Sequence, residues 1–191
     1  MSEDIAVLKK ILRWEIKARL SKISPAEKLD LSRAVIQKFL ALPAYKDAKI
    51  IMAYLSMPEE IQLQEFFMAA FADEKILAVP FISEGEMTAG ELPNMNALEV
   101  GEYGILTVKR DVRKFIDAEK IDCIITPGLA FDTYGRRLGR GGGFYDKFLR
   151  RAVNAKKIAL AYDCQIVDSV PSEVHDVAVD AVITPTKIFL L

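Results

Sequence analysis

The stretch IDCIITPGLAFDTYGRRLGRGGGFYDKFLRRA, residues 121–152, carries the fold decision for this chain. It opens on a short apolar run at residues 123–126, closed by Pro127 and Gly128. A run this short with such an ending reads as a buried strand. The stretch ends on residues 144–152, where Phe144, Phe148 and Ala152 recur at four-residue steps and predict one apolar helix face. A buried strand, a loop and a helix in succession is the repeating unit of an α/β sheet.

The same alternation extends outward. Residues 50–54, 76–79, 158–162 and 181–184 read as further short strands, the second ended by Pro80. A helix is predicted over 63–71. Residues 83–110 are less regular; Gly85, Gly90, Pro93, Gly101 and Gly104 suggest loops or short antiparallel pieces. Towards the N-terminus, Ile5, Leu8, Leu12, Ile16 and Leu20 predict one face of a helix, capped by Ser2 with Glu3 and Asp4 in its first turn. A second helix opens at Ser24, with Pro25 at its first position and Glu27 completing a capping box, and ends at Pro43. Its stripe is Leu31, Val35, Phe39 and Leu42. Short apolar strands alternating with helices imply a three-layer α/β/α fold, a mostly parallel central sheet with helices on both faces. No repeat or linker interrupts residues 1–191, so one domain is expected.

Composition removes several functions. Of 191 residues, 51% are hydrophobic and 28% charged, which suits a globular domain with a real core. The single histidine, His175, cannot build a multi-histidine metal site. Cys123 and Cys164 are too few for a disulfide framework, and Cys123 sits in an apolar run as a buried reduced thiol would. Reduced thiols and the lack of a signal-peptide pattern lead us to expect a cytoplasmic protein with no membrane partner. Net charge is −1, from 26 basic and 27 acidic residues. That total hides an uneven distribution. Residues 9–22 and residues 136–151 each carry six basic residues and one acid, leaving the rest of the chain at −11. Two basic segments that converge would suit one small polyanion rather than extended nucleic acid.

The second basic segment is also glycine-rich: six of the ten glycines fall between Gly128 and Gly143. Consecutive glycines let backbone N–H groups converge on an anion. Here they lead into a helix, whose first N–H groups and dipole favour phosphate. Arg137 and Arg140 add guanidinium forks. The P-loop pattern is absent, because its Lys and Ser/Thr are missing, and the Rossmann fingerprint fails at Phe144. Asp146, in the first helical turn, suits either the helix dipole or a Mg²⁺ bridging phosphates. Glu60 reads as an early-turn acid and Asp180 as a strand-end cap on local pattern alone. His175 and Asp176 read as a loop pair, since sequence neighbours do not normally face each other.

The run from Pro127 to Asp132, with the run from Gly135 to Asp146, resembles the signature of the 5-formyltetrahydrofolate cyclo-ligase family, also called 5,10-methenyltetrahydrofolate synthetases. Three supporting segments stand in the family's order: residues 9–13 (KKILR), residues 54–61 (YLSMPEEI) and residues 179–185 (VDAVITP). The resemblance implies MgATP-dependent closure of 5-formyltetrahydrofolate to 5,10-methenyltetrahydrofolate, with ADP and phosphate released. ATP is then co-substrate and Mg²⁺ the cofactor; a monomer is expected. By position it implies ATP contacts from Lys9, Lys10, Arg13, Arg137, Leu138, Gly139, Arg140, Gly141, Gly142, Gly143, Phe144 and Tyr145. Folate contacts are implied for Arg13, Leu55, Glu60, Arg140, Gly141, Gly142, Gly143 and Phe144. Arg140 and Tyr145 would be catalytic, and Asp146 and Asp180 would hold Mg²⁺. The family commonly has tyrosine where this chain has Phe144, which removes a hydroxyl and keeps the ring. The competing expectation is a nucleic-acid-binding module built on the two basic segments, which the acidic remainder disfavours.

Overall fold

The computed structural model describes residues 2–101, 106–109 and 114–191. Gly104 lies outside them, as do the side chains of Ser2 and Glu3 that were expected to start the first helix.

Helix α1 (Ser2–Leu20) begins on Ser2 itself, and α2 (Pro25–Ala41) follows. Ser24 caps α2: the Glu27 N–H donates to its Oγ at 3.2 Å, and Pro25 fills the first turn, where its missing N–H goes unnoticed. A short α3 (Pro43–Lys46) leads into β1 (Ile50–Ala53), α4 (Gln64–Ala72), β2 (Ile76–Ser83) and β3 (Glu86–Glu91). Next come β4 (Leu98–Val100), β5 (Leu106–Val108), β6 (Phe115–Ile116), β7 (Cys123–Ile125), β8 (Ala130–Phe131) and β9 (Arg137–Leu138). Helix α5 (Phe144–Arg151), β10 (Lys156–Leu160), β11 (Ala181–Ile183) and β12 (Ile188–Leu190) complete the order.

Eight strands form the central sheet in the order β12-β11-β10-β7-β1-β2-β3-β6. From β11 to β2 every pairing is parallel; the edges are antiparallel. The two-residue alternation of a strand sorts the core into layers. Ile51, Ala53, Cys123 and Ile125 face α2 and α4, packing with Val35, Ile36, Phe39 and Phe66. Met52, Ala78 and Ile124 face the other way, onto Phe148 and Leu149 of α5 and Ala152 just after it. Over β10 and β11 that second face is covered by Phe131 of the β8–β9 hairpin. The result is the three-layer α/β/α arrangement with a mostly parallel sheet.

Two local expectations are corrected. Pro80 does not end β2, which runs on to Ser83. β1 pairs with β2 only as far as Ala78, so beyond it β2 has an open side where a missing N–H is tolerated. Leu8 is not in the buried stripe of α1 but 51% exposed, whereas Lys9 is only 8% exposed. Ile16 and Leu20 pack in the core as expected. Cys123 is buried and free, its thiol pushed up to about 12 by burial first and nearby carboxylates second.

Candidate active site

Parallel strands deliver their following loops to one end of the sheet, where α/β folds place ligands. Tyr54 and Leu55 follow β1 there, and Pro127 and Gly128 follow β7. They open onto a cavity of about 420 Å³. Another wall is α1, which contributes Lys9 and Arg13. The Arg13 Nε donates to the Gly139 carbonyl at 2.9 Å, tying α1 to the glycine-rich loop. The two basic segments therefore meet, through Lys9 and Arg13 on one side and Arg137 and Arg140 on the other.

The loop shape depends on glycine. Gly141 has φ +112° and Gly143 has φ +67°, in the left-handed region that side chains disfavour. Gly143 is the residue from which α5 starts, and no side chain caps that helix. Among the described residues, no side chain is recorded accepting from the first-turn N–H groups of α5, the condition for taking an anion.

Nearly every charge in the cavity is already paired. Lys9 Nζ donates to Glu173 Oε2 at 2.9 Å and to Asp176 Oδ2 at 2.6 Å. Arg137, 5% exposed, gives Nη2 to Asp146 Oδ1 at 2.6 Å and Nη1 to the Pro127 carbonyl at 3.2 Å. Its Nε is buried without a partner among the described residues, and so is the Tyr145 hydroxyl. Burial pushes that phenol far up, and Glu60 nearby pushes it further. Arg140 reaches across the cavity to Glu59 and Glu60. Below the loop, Asp132 is 1% exposed and accepts from the N–H groups of Tyr134, Arg136 and Val170 and from Arg136 Nε. That carboxylate holds the β8–β9 hairpin that carries Arg137 into place.

Residues 6–185 match the 5-formyltetrahydrofolate cyclo-ligase family. The chain belongs to this family. A 5-formyltetrahydrofolate cyclo-ligase of Escherichia coli K12 is 30% identical, over 91% of this chain and 98% of that protein. One from Mus musculus is 32% identical, over 92% of each. The solved structure of Aquifex aeolicus 5,10-methenyltetrahydrofolate synthetase matches with a TM-score of 0.87 and 30% identity, covering 96% of this chain and 93% of that one. The cyclo-ligase resemblance first drawn from the glycine-arginine motif thus extends over the whole fold, and the chain is an enzyme of this family.

Of the positions that the family motifs single out, Lys9, Arg13, Leu55, Glu60, Arg137, Leu138, Gly139, Arg140, Gly141, Gly142, Gly143, Phe144, Tyr145 and Asp146 line the cavity. Lys10 does not. It is exposed, one residue and about 100° around α1 from inward-turned Lys9. Asp180 does not either: it precedes β11, at the opposite end of the sheet from the cavity. There its Oδ2 accepts the Lys157 N–H at 2.7 Å, as Asp122 accepts those of Lys49 and Ile50. Asp180 caps the start of β10, at the end of the sheet away from Asp146.

Asp146 remains the cavity carboxylate at the head of α5. Its Oδ1 takes Arg137 and the Val177 N–H, while Oδ2 has no partner among the described residues. No group of three or more His, Cys, Asp or Glu side chains suited to a metal occurs among the described residues. One available carboxylate oxygen beside an anion site fits a Mg²⁺ held chiefly by substrate phosphates. Glu173 has no local signal in the sequence, and His175 and Asp176 read there only as a loop pair. All three line the cavity. The available signal was Lys9, since a lysine turned inward needs acidic partners.

Proposed function

We propose that the whole chain, residues 1–191, acts as one cytoplasmic, monomeric domain that closes 5-formyltetrahydrofolate to 5,10-methenyltetrahydrofolate at the expense of MgATP. The carrying observation is the meeting of Arg13, Arg137, Arg140, Glu60 and an uncapped helix start in one cavity. Formamide oxygen is a poor leaving group. In this reading it attacks the γ-phosphorus of ATP, the bond to the β-phosphate oxygen breaks, and ADP departs. The formyl carbon, now bearing a phosphate, is attacked by N10; the N10 proton is lost and inorganic phosphate leaves with the oxygen. No protein nucleophile is required, which suits a site made of cations and backbone donors.

The N–H groups of the glycine-rich loop and of α5 hold the phosphates, and Arg137 and Arg140 neutralise charge as it moves to the leaving oxygen. Lys9 and Arg13 complete the nucleotide side. Leu55 and Glu60 receive the pterin, with Glu60 accepting from ring N–H groups. The Tyr145 hydroxyl, lacking a protein partner, donates to substrate. Mg²⁺, when bound, would be held by Asp146 and would screen phosphate charge. A nucleic-acid module would need its cations on an open face, yet Lys9 and Arg137 are buried. The test mixes the protein with 5-formyltetrahydrofolate, Mg²⁺ and ATP and follows methenyl-folate absorbance and ADP. Equal amounts of both products are expected; neither product sinks the reading.

A further inference from the structure

The groups expected to take folate and phosphate are each other's partners in this structure. Arg140 Nη1 donates to Glu59 Oε1 at 2.9 Å, and Nη2 and Nε donate to Glu60 Oε1 at 2.9 and 3.2 Å. The second oxygen of Glu60 accepts the Met57 N–H at 2.9 Å. Both oxygens of Glu60 are therefore taken, and Arg140 is bound along both edges of its fork. Glu59 is held below the usual carboxylate range: burial opposes this, but its own backbone N–H and Arg140 outweigh it.

One side of this latch is braced by hydrogen bonds and the other is exposed. The turn carrying the two glutamates is braced from beneath, where Tyr162 Oη and Gln62 Nε2 both donate to the Glu60 carbonyl, at 2.9 and 2.8 Å. Arg140 sits between Gly139 and Gly141, at the start of an exposed stretch that runs to Gly143. Arg140 is thus the member able to move.

We infer that the Arg140–Glu59/Glu60 latch makes the nucleotide and the folate bind cooperatively, each releasing the group that the other needs. This rests on the cyclo-ligase reading. A phosphate that draws Arg140 away frees Glu60 for the pterin; a pterin that occupies Glu60 frees Arg140 for phosphate. The first ligand bears the cost of opening the latch and the second does not. Linkage requires the same factor in both directions. Glu59 strengthens the closed state without belonging to either ligand's contacts, so it sets the size of the coupling.

The experiment is calorimetric titration of 5-formyltetrahydrofolate into the full-length protein, with and without Mg²⁺ and a non-hydrolysable ATP analogue, and the reverse titration. Folate affinity should rise about fivefold or more with the analogue present, and the analogue's affinity should rise equally with folate. Glu59→Gln removes a charge from the latch. It should tighten binding of the analogue alone and shrink the coupling factor towards one. A wild-type protein that turns over but binds each ligand equally well with or without the other overturns the latch and leaves the activity standing. So does a Glu59→Gln variant with the full wild-type coupling factor. Absence of both turnover and folate binding overturns the cyclo-ligase reading and the coupling with it.

Discussion

Replacing Lys9 by methionine tests whether the cavity's wall is held together by charge. Methionine keeps the length and most of the volume of the lysine stem, so packing along α1 is preserved. What goes is the ammonium that bridges Glu173 and Asp176 at 2.9 and 2.6 Å. Removing one partner of a buried ion pair costs about 3–5 kcal/mol, because the other charge is left without compensation. Here the side chains of Glu173 and Asp176 are 28% and 15% exposed, and Asp176 still accepts the Glu173 N–H at 2.7 Å. Water and that amide recover part of the loss, so about 2 kcal/mol is expected at pH 7, or roughly 4–8 °C in Tm for a domain of this size.

The pH dependence gives a second, independent reading of the same bridge. Burial opposes the charge on Asp176, but Lys9 overcomes it and holds the carboxyl below its ordinary 3.8. A depressed carboxyl contributes stability that is present above its unfolded pKa and is lost as pH falls through the folded one. Lys9 is likewise raised above its ordinary 10.5 despite its burial, so its contribution is lost only as pH rises beyond that. The bridge is fully effective between these limits. The gap between wild type and Lys9→Met, measured by urea unfolding, should be largest near neutrality and shrink as pH falls below about 4. A gap under about 0.5 kcal/mol at pH 7, or one unchanged in acid, would show that Lys9 is packed rather than paired.

Three further outcomes are expected. Tyr145→Phe removes a buried hydroxyl with no partner among the described residues, so thermal melting should show an unchanged or higher Tm while turnover falls; unchanged turnover would mean that the hydroxyl meets no substrate. Gly135→Ala and Gly143→Ala share a left-handed backbone, but only at Gly135 would the new Cβ meet a backbone atom, the Val179 oxygen at 2.6 Å. Denaturation should show a loss of about 1 kcal/mol at Gly143 and clearly more at Gly135; equal losses would mean that the contact relaxes freely. Arg140→Ala should abolish most turnover with circular dichroism unchanged, since this side chain is one-third exposed; a fully active variant would take Arg140 out of the mechanism.

The layers of the fold were legible because a strand buried on both faces and a helix buried on one write different periods into the chain. The end of β2 was not. A proline stops a strand only where the missing N–H is needed, and that depends on how far β1 runs beside it. The glycine loop was legible because three successive glycines have few uses other than a close approach. Asp180 misled because capping and metal binding ask for the same carboxylate. Only the direction of the strands, which puts Asp180 and Asp122 at one end and Asp146 at the other, separates the two. Glu173 and Asp176 were hidden for a different reason: their partner lies more than 160 positions away, and nothing local in residues 173–176 announces a lysine.

The charges of the cavity bring the net charge of −1 into sharper view. Lys9, Arg13, Arg137 and Arg140 line it together with Glu60, Asp146, Glu173 and Asp176, four cations against four carboxylates. The two basic segments do not create a positive basin that draws in any polyanion. Lys9, Arg137 and Arg140 are already satisfied by carboxylates, and a ligand engages them by exchanging partners; Arg13 is held by the Gly139 carbonyl instead. An incoming phosphate gains little unless the carboxylate it displaces finds donors of its own. A pterin can supply such donors to Glu60, and a metal ion can engage Asp146. A polyanion lacking both would leave partly buried carboxylates uncompensated. Selectivity in such a site comes less from long-range attraction than from the requirement that every displaced charge be matched again.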